Sequence, residues 1–224
     1  MTQRTVFFDL ETGGLNPNRH PIIQIAAIAA DEYLQPLEAF EVKLQFDASR
    51  ANRNSLRKNH YSQGVWANTA LPEEEAARQF AEFLRRHATL TKMAANGTPY
   101  HVSQLVAHNA SFDGPFLEAW FERVGVFLPA RRQVLCTLQR AMWHVTECQD
   151  DLPPPRDYKL STLCRYFDVP FHAADAHDAL ADVKATLELY RSMTCRDPDK
   201  HRDASLAGRA VRHGPGDSAQ SEGA

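Results

Sequence analysis

Three short apolar runs near the start of the chain are separated by turn-forming residues. The runs cover residues 5–10, 22–29 and 40–46, and Gly13-Gly14 and Gln35-Pro36 lie between them. Runs of this length, rich in β-branched and aromatic side chains, are typical of buried strands, whereas Gly and Pro interrupt strands. The pattern therefore predicts three leading strands in an antiparallel arrangement.

Helical periodicity becomes visible further along the chain. Within residues 72–87, Phe80, Phe83 and Leu84 recur at helical spacing, and the first turn holds three glutamates, which the helix dipole favours there. Strands followed by alternating helices and strands predict an α/β domain, in which helices flank a mixed sheet. The other expected elements are helices at 111–124, 137–143 and 161–167, a longer helix capped by Asp175 and ending near Met193, and short strands at 105–107 and 134–136.

Composition limits the domain organisation. The chain has 224 residues, of which 43% are hydrophobic and 24% charged, and these are ordinary values for one globular domain. After Cys195 almost no large apolar side chain occurs, so residues 196–224 cannot bury enough surface to offset the entropy of ordering. We therefore expect a folded domain at residues 1–195 and a disordered tail at residues 196–224.

Charge and apolar segments exclude several classes of protein. The longest apolar stretch is about ten residues, roughly half of what a membrane-spanning helix needs. No signal peptide is visible, so we expect a soluble, cytoplasmic protein without a membrane partner. The net charge of −3 excludes a protein that holds nucleic acid by bulk positive charge, although it is compatible with a small local patch. The cysteines form no CxxC pair, which argues against a zinc ribbon.

Two carboxylates lie at the end of the first apolar run. Asp9 and Glu11 are two positions apart, so both side chains leave the same face of the strand. Two like charges in such a place raise each other's proton affinity unless a cation neutralises them or the strand end reaches water. The pair therefore predicts either a cation site or a solvated strand end.

Two later segments hold further candidates. In VAHNASFD, Asp113 lies in the first turn of an expected helix, where a cap or a favourable dipole interaction would also explain it. In AHDALADV, His177 and Asp182 are five positions apart, about 140° around an ideal helix. The two side chains therefore share a site only if His177 lies in an irregular start of the helix.

Taken together, these segments resemble a known family. FDLETGG, HNASFD and HDALAD, in this order over about residues 5–190, are similar to the motifs of the DEDD exonuclease superfamily, and more narrowly of its DEDDh branch, the DnaQ-like or RNase T-like 3′→5′ exonucleases. A sister branch has a tyrosine four positions before its last aspartate. Here that position is Asp178 and His177 lies five before, which indicates the histidine branch.

The resemblance implies a ribonuclease H-like fold and a two-metal site. Asp9, Glu11, Asp113 and Asp182 match its four acidic ligands, and His177 matches its general base. Hard Mg²⁺ or Mn²⁺ ions prefer oxygen ligands, which agrees with carboxylates rather than thiols. We therefore expect two Mg²⁺ or Mn²⁺ ions per site.

The resemblance also implies substrate contacts. In similar enzymes the backbone after the first motif holds the terminal nucleotide, and an apolar side chain wedges at the last base step. Thr12, Gly13 and Leu15 occupy those positions, although Leu15 would equally suit ordinary turn packing. Asn109 either contacts the substrate or satisfies the turn in which it lies.

Residues 49–66 fit no motif of the family, and we expect them to influence substrate specificity. Their basic residues, followed by Tyr61 and Trp66, are the best candidates for holding a single strand through phosphates and stacking. Little basic charge overall predicts a distributive enzyme rather than a processive one. The basic residues are Arg50, Arg53, Arg57 and Lys58.

The function that we expect is that of a metal-dependent 3′→5′ exonuclease. It would act on single-stranded or frayed DNA or RNA 3′ ends and release nucleoside 5′-monophosphates, with DNA favoured because FDLETGG looks like the first motif of proofreading and repair members. The alternatives are an RNA-trimming exoribonuclease and a catalytically silent nucleic-acid-binding module. The tail shows no clamp-binding peptide, which favours a free-standing nuclease, while a homodimer and a polymerase or repair partner stay open.

Overall fold

A computed structural model describes residues 2–147, 153–171 and 177–194. The strands are β1 (Thr5–Thr12), β2 (Ile22–Ala30), β3 (Pro36–Lys43), β4 (Leu90–Met93), β5 (Pro99–Val102), β6 (Gln104–Ala107) and β7 (Leu135–Cys136). The helices are α1 (Arg53–Lys58), α2 (Gln63–Thr69), α3 (Glu73–Arg86), α4 (Ala110–Val124), α5 (Thr137–Glu147), α6 (Leu160–Tyr166) and α7 (Ala179–Ser192), and a single 3-10 turn covers Ala48–Arg50. In this described part no helix is long and apolar enough to cross a bilayer.

Five of the strands form one mixed sheet in the order β3-β2-β1-β6-β7. The first three strands pair antiparallel, as expected, whereas β6 runs parallel to β1 and β7 parallel to β6. The expected α/β architecture with a mixed sheet is therefore confirmed. Because β1 and β6 are parallel neighbours, their carboxyl ends lie side by side at one edge of the sheet.

The alternation of side chains along β1 divides the core into two layers. Val6 and Phe8 pack on the layer that contains α3 and α4, whereas Phe7 packs against Val183 and Leu187 of α7. Side chains two positions apart share a face of a strand. The carboxylates of β1, at odd-numbered positions like Phe7, are therefore on the face that α7 covers.

Several element boundaries differ from the expectation. The third strand spans Pro36–Lys43 rather than residues 40–46, and β4 and β5 form a separate hairpin that the sequence pattern did not indicate. The N-cap of α7 is Asp178, whose carboxylate accepts a hydrogen bond of 3.0 Å from the N–H of Ala181. The assignment of the cap to Asp175 was therefore wrong. Asp175 itself and the tail at 196–224 lie outside the described residues.

The segment that fitted no pattern forms α1 and α2. Both helices are short, so neither shows a clear amphipathic repeat, and tertiary hydrogen bonds hold them. Asn59 donates from its side-chain nitrogen to the carbonyl of Thr12 at 3.0 Å, and Trp66 donates from Nε1 to the carbonyl of Ile23 at 3.1 Å. These two contacts attach the segment to the end of β1 and to the start of β2.

Candidate active site

The end of β1 brings two carboxylates to the site. Asp9 and Glu11 share one face of the strand, and its pairing with β2 shifts register between Glu11 and Thr12. Glu11 is only 6% exposed. Contact with water at the strand end therefore does not stabilise the charge of Glu11, and the ionised carboxylate needs another partner.

The turn between β6 and α4 brings the third carboxylate. Asn109 adopts a left-handed backbone conformation with φ of 60°, which turns the chain sharply into the helix. Asp113 in the first turn of α4 is 3% exposed, and it accepts a hydrogen bond from the backbone of Leu10. This hydrogen bond ties the start of α4 to β1 and places Asp113 beside the first pair.

The start of α7 brings the last two groups. His177 precedes the N-cap and has a φ of 68°, so it lies in an irregular turn and not on the regular face of the helix. Its backbone N–H donates to Oδ2 of Asp182 at 3.3 Å. The side chains of Glu11, His177 and Asp182 each offer a ligand atom, and these atoms lie within 4.8 Å of one another. The condition for His177 and Asp182 to share a site is thus met.

All five of these residues border a single cavity of about 730 Å³. This volume is within the range of about 300–1,000 Å³ that is usual for ligand sites. Other walls come from α1, from α5 and from the residues around the start of α6. The remaining lining residues include Thr12, Gly14, Leu15, Ser55, Lys58, Asn59, His108, Asn109, Phe112, Leu138, Tyr158 and Phe171.

Burial and mutual repulsion disfavour ionisation of the carboxyl groups in the absence of a cation. Burial is the main cause, followed by neighbouring carboxylates, and it raises the pKa of Asp9 to about 8 and that of Glu11 to about 10. Burial likewise raises the pKa of Asp182 to about 6 and raises the pKa of Asp113 well above its usual value. Such a concentration of disfavoured negative charge is typical of a functional site.

The donor set fits a hard divalent cation. Oδ1 of Asp182 is buried and has no hydrogen-bond partner among the described residues. Carboxylate oxygens are the ligands that Mg²⁺ and Mn²⁺ prefer, and a cation would satisfy this oxygen while it favours the ionised form of its neighbours. Asp9, Glu11, Asp113 and Asp182 are thus the residues that could hold such ions.

The two histidines of the cavity differ in their surroundings. Both ring nitrogens of His108 are engaged, Nδ1 with Oγ1 of Thr137 at 2.9 Å and Nε2 with the carbonyl of Tyr158 at 3.1 Å. Burial lowers the pKa of His108 to about 4. Burial, followed by the positive charges of Lys58 and His60, lowers the pKa of His177. His108 therefore has a structural role, whereas His177 borders the carboxylates as a neutral imidazole.

The residues after the first motif take different positions. Leu15 is 82% exposed at the rim of the cavity, so ordinary turn packing does not explain it. Gly13 is not among the lining residues, because its N–H donates to Pro21 and its carbonyl accepts from Asn52. The backbone hydrogen-bonding groups of Gly13 are thus already used inside the protein, and the expected substrate contact through Gly13 stays a prediction.

Gly14 takes the place at the cavity wall that Gly13 was expected to have. A Cβ at Gly14 would lie 2.4 Å from the His20 ring, so no side chain fits there. Thr12 is buried, and its hydroxyl donates to the Gly14 carbonyl at 2.7 Å. Oδ1 of Asn109 accepts from Ser111 and makes no capping bond, and Asn109 is among the residues that line the cavity.

The basic segment is only partly what the sequence indicated. Trp66 is 6% exposed and packs against Tyr61. The expectation that Trp66 stacks on bases is therefore wrong, because its ring belongs to a small core. Arg53 and Arg57 are exposed, whereas Lys58 lines the cavity. The sequence marked Lys58 as basic but did not indicate that it faces the carboxylates.

Comparison with known proteins gives consistent matches. A family model for RNase T, described as an exonuclease, matches residues 6–190. The chain is 30% identical to Ribonuclease T of Actinobacillus pleuropneumoniae serotype 5b (strain L20), over 87% of this chain and 84% of that relative. It is 29% identical to DNA polymerase III PolC-type of Oceanobacillus iheyensis, over 81% of this chain and 11% of that relative.

A solved structure gives the same fold. E. coli exonuclease I in complex with a dT13 oligonucleotide matches with a TM-score of 0.68 and 18% identity, over 92% of this chain and 44% of that one. This chain thus spans less than half the length of exonuclease I. The match confirms the ribonuclease H-like fold that the sequence motifs implied.

Proposed function

Because this chain belongs to the RNase T exonuclease family and is a 3′→5′ exonuclease acting on nucleic acids, we propose that it releases nucleoside 5′-monophosphates from single-stranded 3′ ends in the cavity described above. The convergence of four carboxylates and His177 on that cavity carries the proposal. The carboxylates come from three elements far apart in the chain, and without a shared ligand their proximity only costs free energy.

Asp9, Glu11, Asp113 and Asp182 hold the metal in this proposal. We propose two Mg²⁺ or Mn²⁺ ions, since four carboxylates provide the negative charge that two divalent cations neutralise. When bound, such ions supply Lewis-acid activation of water and stabilise charge on the leaving oxygen. The burial of Glu11 and Asp113 keeps these two ligands in fixed positions and limits competing water.

His177 acts as the general base. Its reduced pKa keeps the imidazole neutral near neutral pH, so a ring nitrogen is free to accept the proton of the attacking water. The N–H of His177 is held by Asp182, which orients the residue toward the cavity. The left-handed backbone at His177 places the ring ahead of the helix, and there it borders the carboxylates.

The terminal nucleotide binds beside the first motif. Leu15, exposed at the rim, wedges against the last base step, and the backbone of Gly14, packed against the His20 ring, forms the cavity wall beside it. Thr12 shapes this wall through its bond to the Gly14 carbonyl. The side chain of Asn109, which belongs to the second motif and does not cap α4, also contacts the substrate.

We propose DNA as the preferred substrate, and the bound dT13 of E. coli exonuclease I and the similarity to the PolC-type polymerase support this choice. RNA trimming is the second candidate. The relative with 30% identity over most of both chains is a Ribonuclease T, and this favours RNA. Both candidates use the same carboxylates and the same base.

A gel assay on matched 5′-labelled DNA and RNA oligonucleotides tests the proposal. We expect a ladder that shortens from the 3′ end with Mg²⁺ or Mn²⁺, and none with chelator or in Asp9→Ala or Asp113→Ala, because each removes a metal ligand. The oligonucleotide that is shortened at the higher rate shows whether DNA or RNA is the preferred substrate. Retained binding of both oligonucleotides without any cleavage would favour a catalytically silent binding module, and cleavage by Asp113→Ala would refute the ligand assignment.

A further inference from the structure

We propose that Lys58 contacts the scissile phosphate inside the cavity and is a further catalytic residue of this enzyme. The inference rests on the proposed active site. Lys58 is the last residue of α1, in the segment for which the family motifs provide no counterpart. All three basic residues of α1 are exposed, but only Lys58 among them lines the cavity, which separates it from Arg53 and Arg57.

The anchoring of α1 determines where Lys58 lies. The next residue, Asn59, is 7% exposed and donates from its side chain to the carbonyl of Thr12, one position after Glu11. The N–H of Asn59 donates to the carbonyl of Ser55, which closes the last turn of the helix. The end of α1 is thereby fixed against the end of β1, beside the carboxylates.

The charge of Lys58 acts on three groups of the site. Burial raises the pKa of Glu11 and of Asp182 and lowers that of His177; the charge of Lys58 opposes the first two shifts and adds to the third. An electrostatic influence on groups from separate elements agrees with a position near the point where these elements meet. This agrees with its place among the residues that line the cavity.

The ammonium group is available to a ligand. Several arginines of the described residues form ion pairs, for example Arg86 with Glu38 and Arg123 with Glu73. Lys58, by contrast, forms no ion pair within 4.0 Å in the described part of the chain. A lysine that faces a cavity without a direct partner can donate to a bound anion at little cost of rearrangement.

The chemistry of the reaction indicates which anion this is. A phosphodiester is anionic, and attack of water places further charge on its non-bridging oxygens. The carboxylates of this cavity repel that charge, whereas the ammonium of Lys58 attracts it and donates a hydrogen bond to it. Lys58 therefore stabilises the reacting phosphate, in contrast to Arg53 and Arg57, which are exposed outside the cavity.

The test compares a substrate that has one phosphate with a longer strand. Thymidine 5′-(4-nitrophenyl phosphate) is hydrolysed when water forms a bond to phosphorus and the bond from phosphorus to the nitrophenol oxygen breaks, which releases coloured nitrophenolate. The wild type, Lys58→Ala and Lys58→Arg would be assayed with Mn²⁺ on this ester and on a 5′-labelled oligonucleotide. Lys92→Ala is the matched control, because Lys92 lies on the separate hairpin.

We expect Lys58→Ala to lower kcat by the same factor on both substrates, on the order of 10²-fold as for loss of one donor to a developing charge. The KM for the oligonucleotide should change less than about twofold, because long strands retain their other contacts. Lys58→Arg should recover part of the activity, and Lys92→Ala should equal the wild type. Since Lys58 is exposed to solvent on one side, the melting temperature should not change.

Two results would overturn the inference. If Lys58→Ala hydrolyses the ester at the wild-type rate, or raises only the KM for the oligonucleotide, Lys58 holds the strand and not the reacting phosphate. A different result would refute the proposed active site itself: the wild type would not shorten the oligonucleotide, or Asp113→Ala would shorten it as well. Wild-type cleavage that Asp113→Ala abolishes and Lys58→Ala leaves unchanged would refute only the role of Lys58.

Discussion

The conformation of His177 connects its backbone to its proposed role as a base. Its φ of 68° is in the left-handed region, which non-glycine residues adopt uncommonly, although Asn, Asp and His are enriched there. Strain of this kind is tolerated where the surroundings over-determine the conformation, and it recurs at functional sites. Here the N-cap Asp178 and the bond from the His177 N–H to Asp182 hold the turn.

Two replacements of His177 distinguish the role of its imidazole ring in catalysis from the role of its backbone conformation in stability. We expect His177→Ala and His177→Asn to lower kcat by roughly 10²–10⁴-fold, the range for general-base catalysis. Binding of a 3′-ended oligonucleotide, measured by fluorescence anisotropy, should stay near that of the wild type. Asn tolerates a positive φ, so His177→Asn should also keep the wild-type melting temperature. Turnover at the wild-type rate in either variant would remove His177 from the mechanism.

At the scale of elements, α1 extends from the protein surface to the cavity. The last residue of α1 lines the cavity, while Arg53 and Arg57 are exposed on the same helix. A nucleic-acid strand that runs along α1 toward the cavity passes these two positively charged side chains. We therefore expect the segment without a family motif to influence how this chain binds a nucleic-acid strand.

Charge reversal on α1 tests this path. We expect Arg53→Glu with Arg57→Glu to weaken binding of single-stranded DNA. If two phosphate contacts are lost, the slope of log K against log salt should also decrease in magnitude by about 1.4, since each contact on a single strand contributes about 0.7. Arg85→Glu, an exposed arginine on α3, is the control and should leave the slope unchanged. A salt slope equal to that of the wild type in the double variant would exclude α1 as a phosphate-binding surface.

At the scale of the whole molecule, the raised pKa values of the carboxylates make the stability of the fold depend on pH, and the proposed metal site predicts a dependence on metal. The pKa of Asp9 is about 8 and that of Glu11 about 10 in the folded chain, well above the usual values of 3.8 and 4.5. The folded state thus binds these protons more tightly than the unfolded state does, so protonation stabilises it. That contribution is complete below about pH 4 and is lost as the pH rises through 8 and above.

We therefore expect the melting temperature with chelator to fall as the pH is raised from 5 to 8. Mn²⁺ favours the ionised carboxylates, so its stabilisation should grow with pH and exceed about 2–4 °C at pH 8, the shift for about 1 kcal/mol in a domain of this size. Thermal melts with Mn²⁺ and with chelator at several pH values measure this. Asp182→Asn is the control that should lose most of the Mn²⁺ effect, and no Mn²⁺ effect in the wild type would contradict the metal site.

The sequence alone determined the features that depend on local spacing. The antiparallel leading strands followed from short apolar runs bounded by turn residues, and the helix α3 followed from a period-3.6 pattern, because such patterns record which side chains are buried. The order of the three motifs identified the family, and each motif lies at an element end. The shared face of Asp9 and Glu11 also followed from the geometry of a strand alone.

Only the tertiary structure decided which residues meet across long stretches of chain. The burial of Glu11, the exposure of Leu15 and the presence of Lys58 in the cavity all depend on contacts between elements. Trp66 shows the same limit, because its place in a small core depends on Tyr61 and on the carbonyl of Ile23. Short helices such as α1 have little pattern of their own, so packing against β1 determines both their position and the chemistry that they bring to the site.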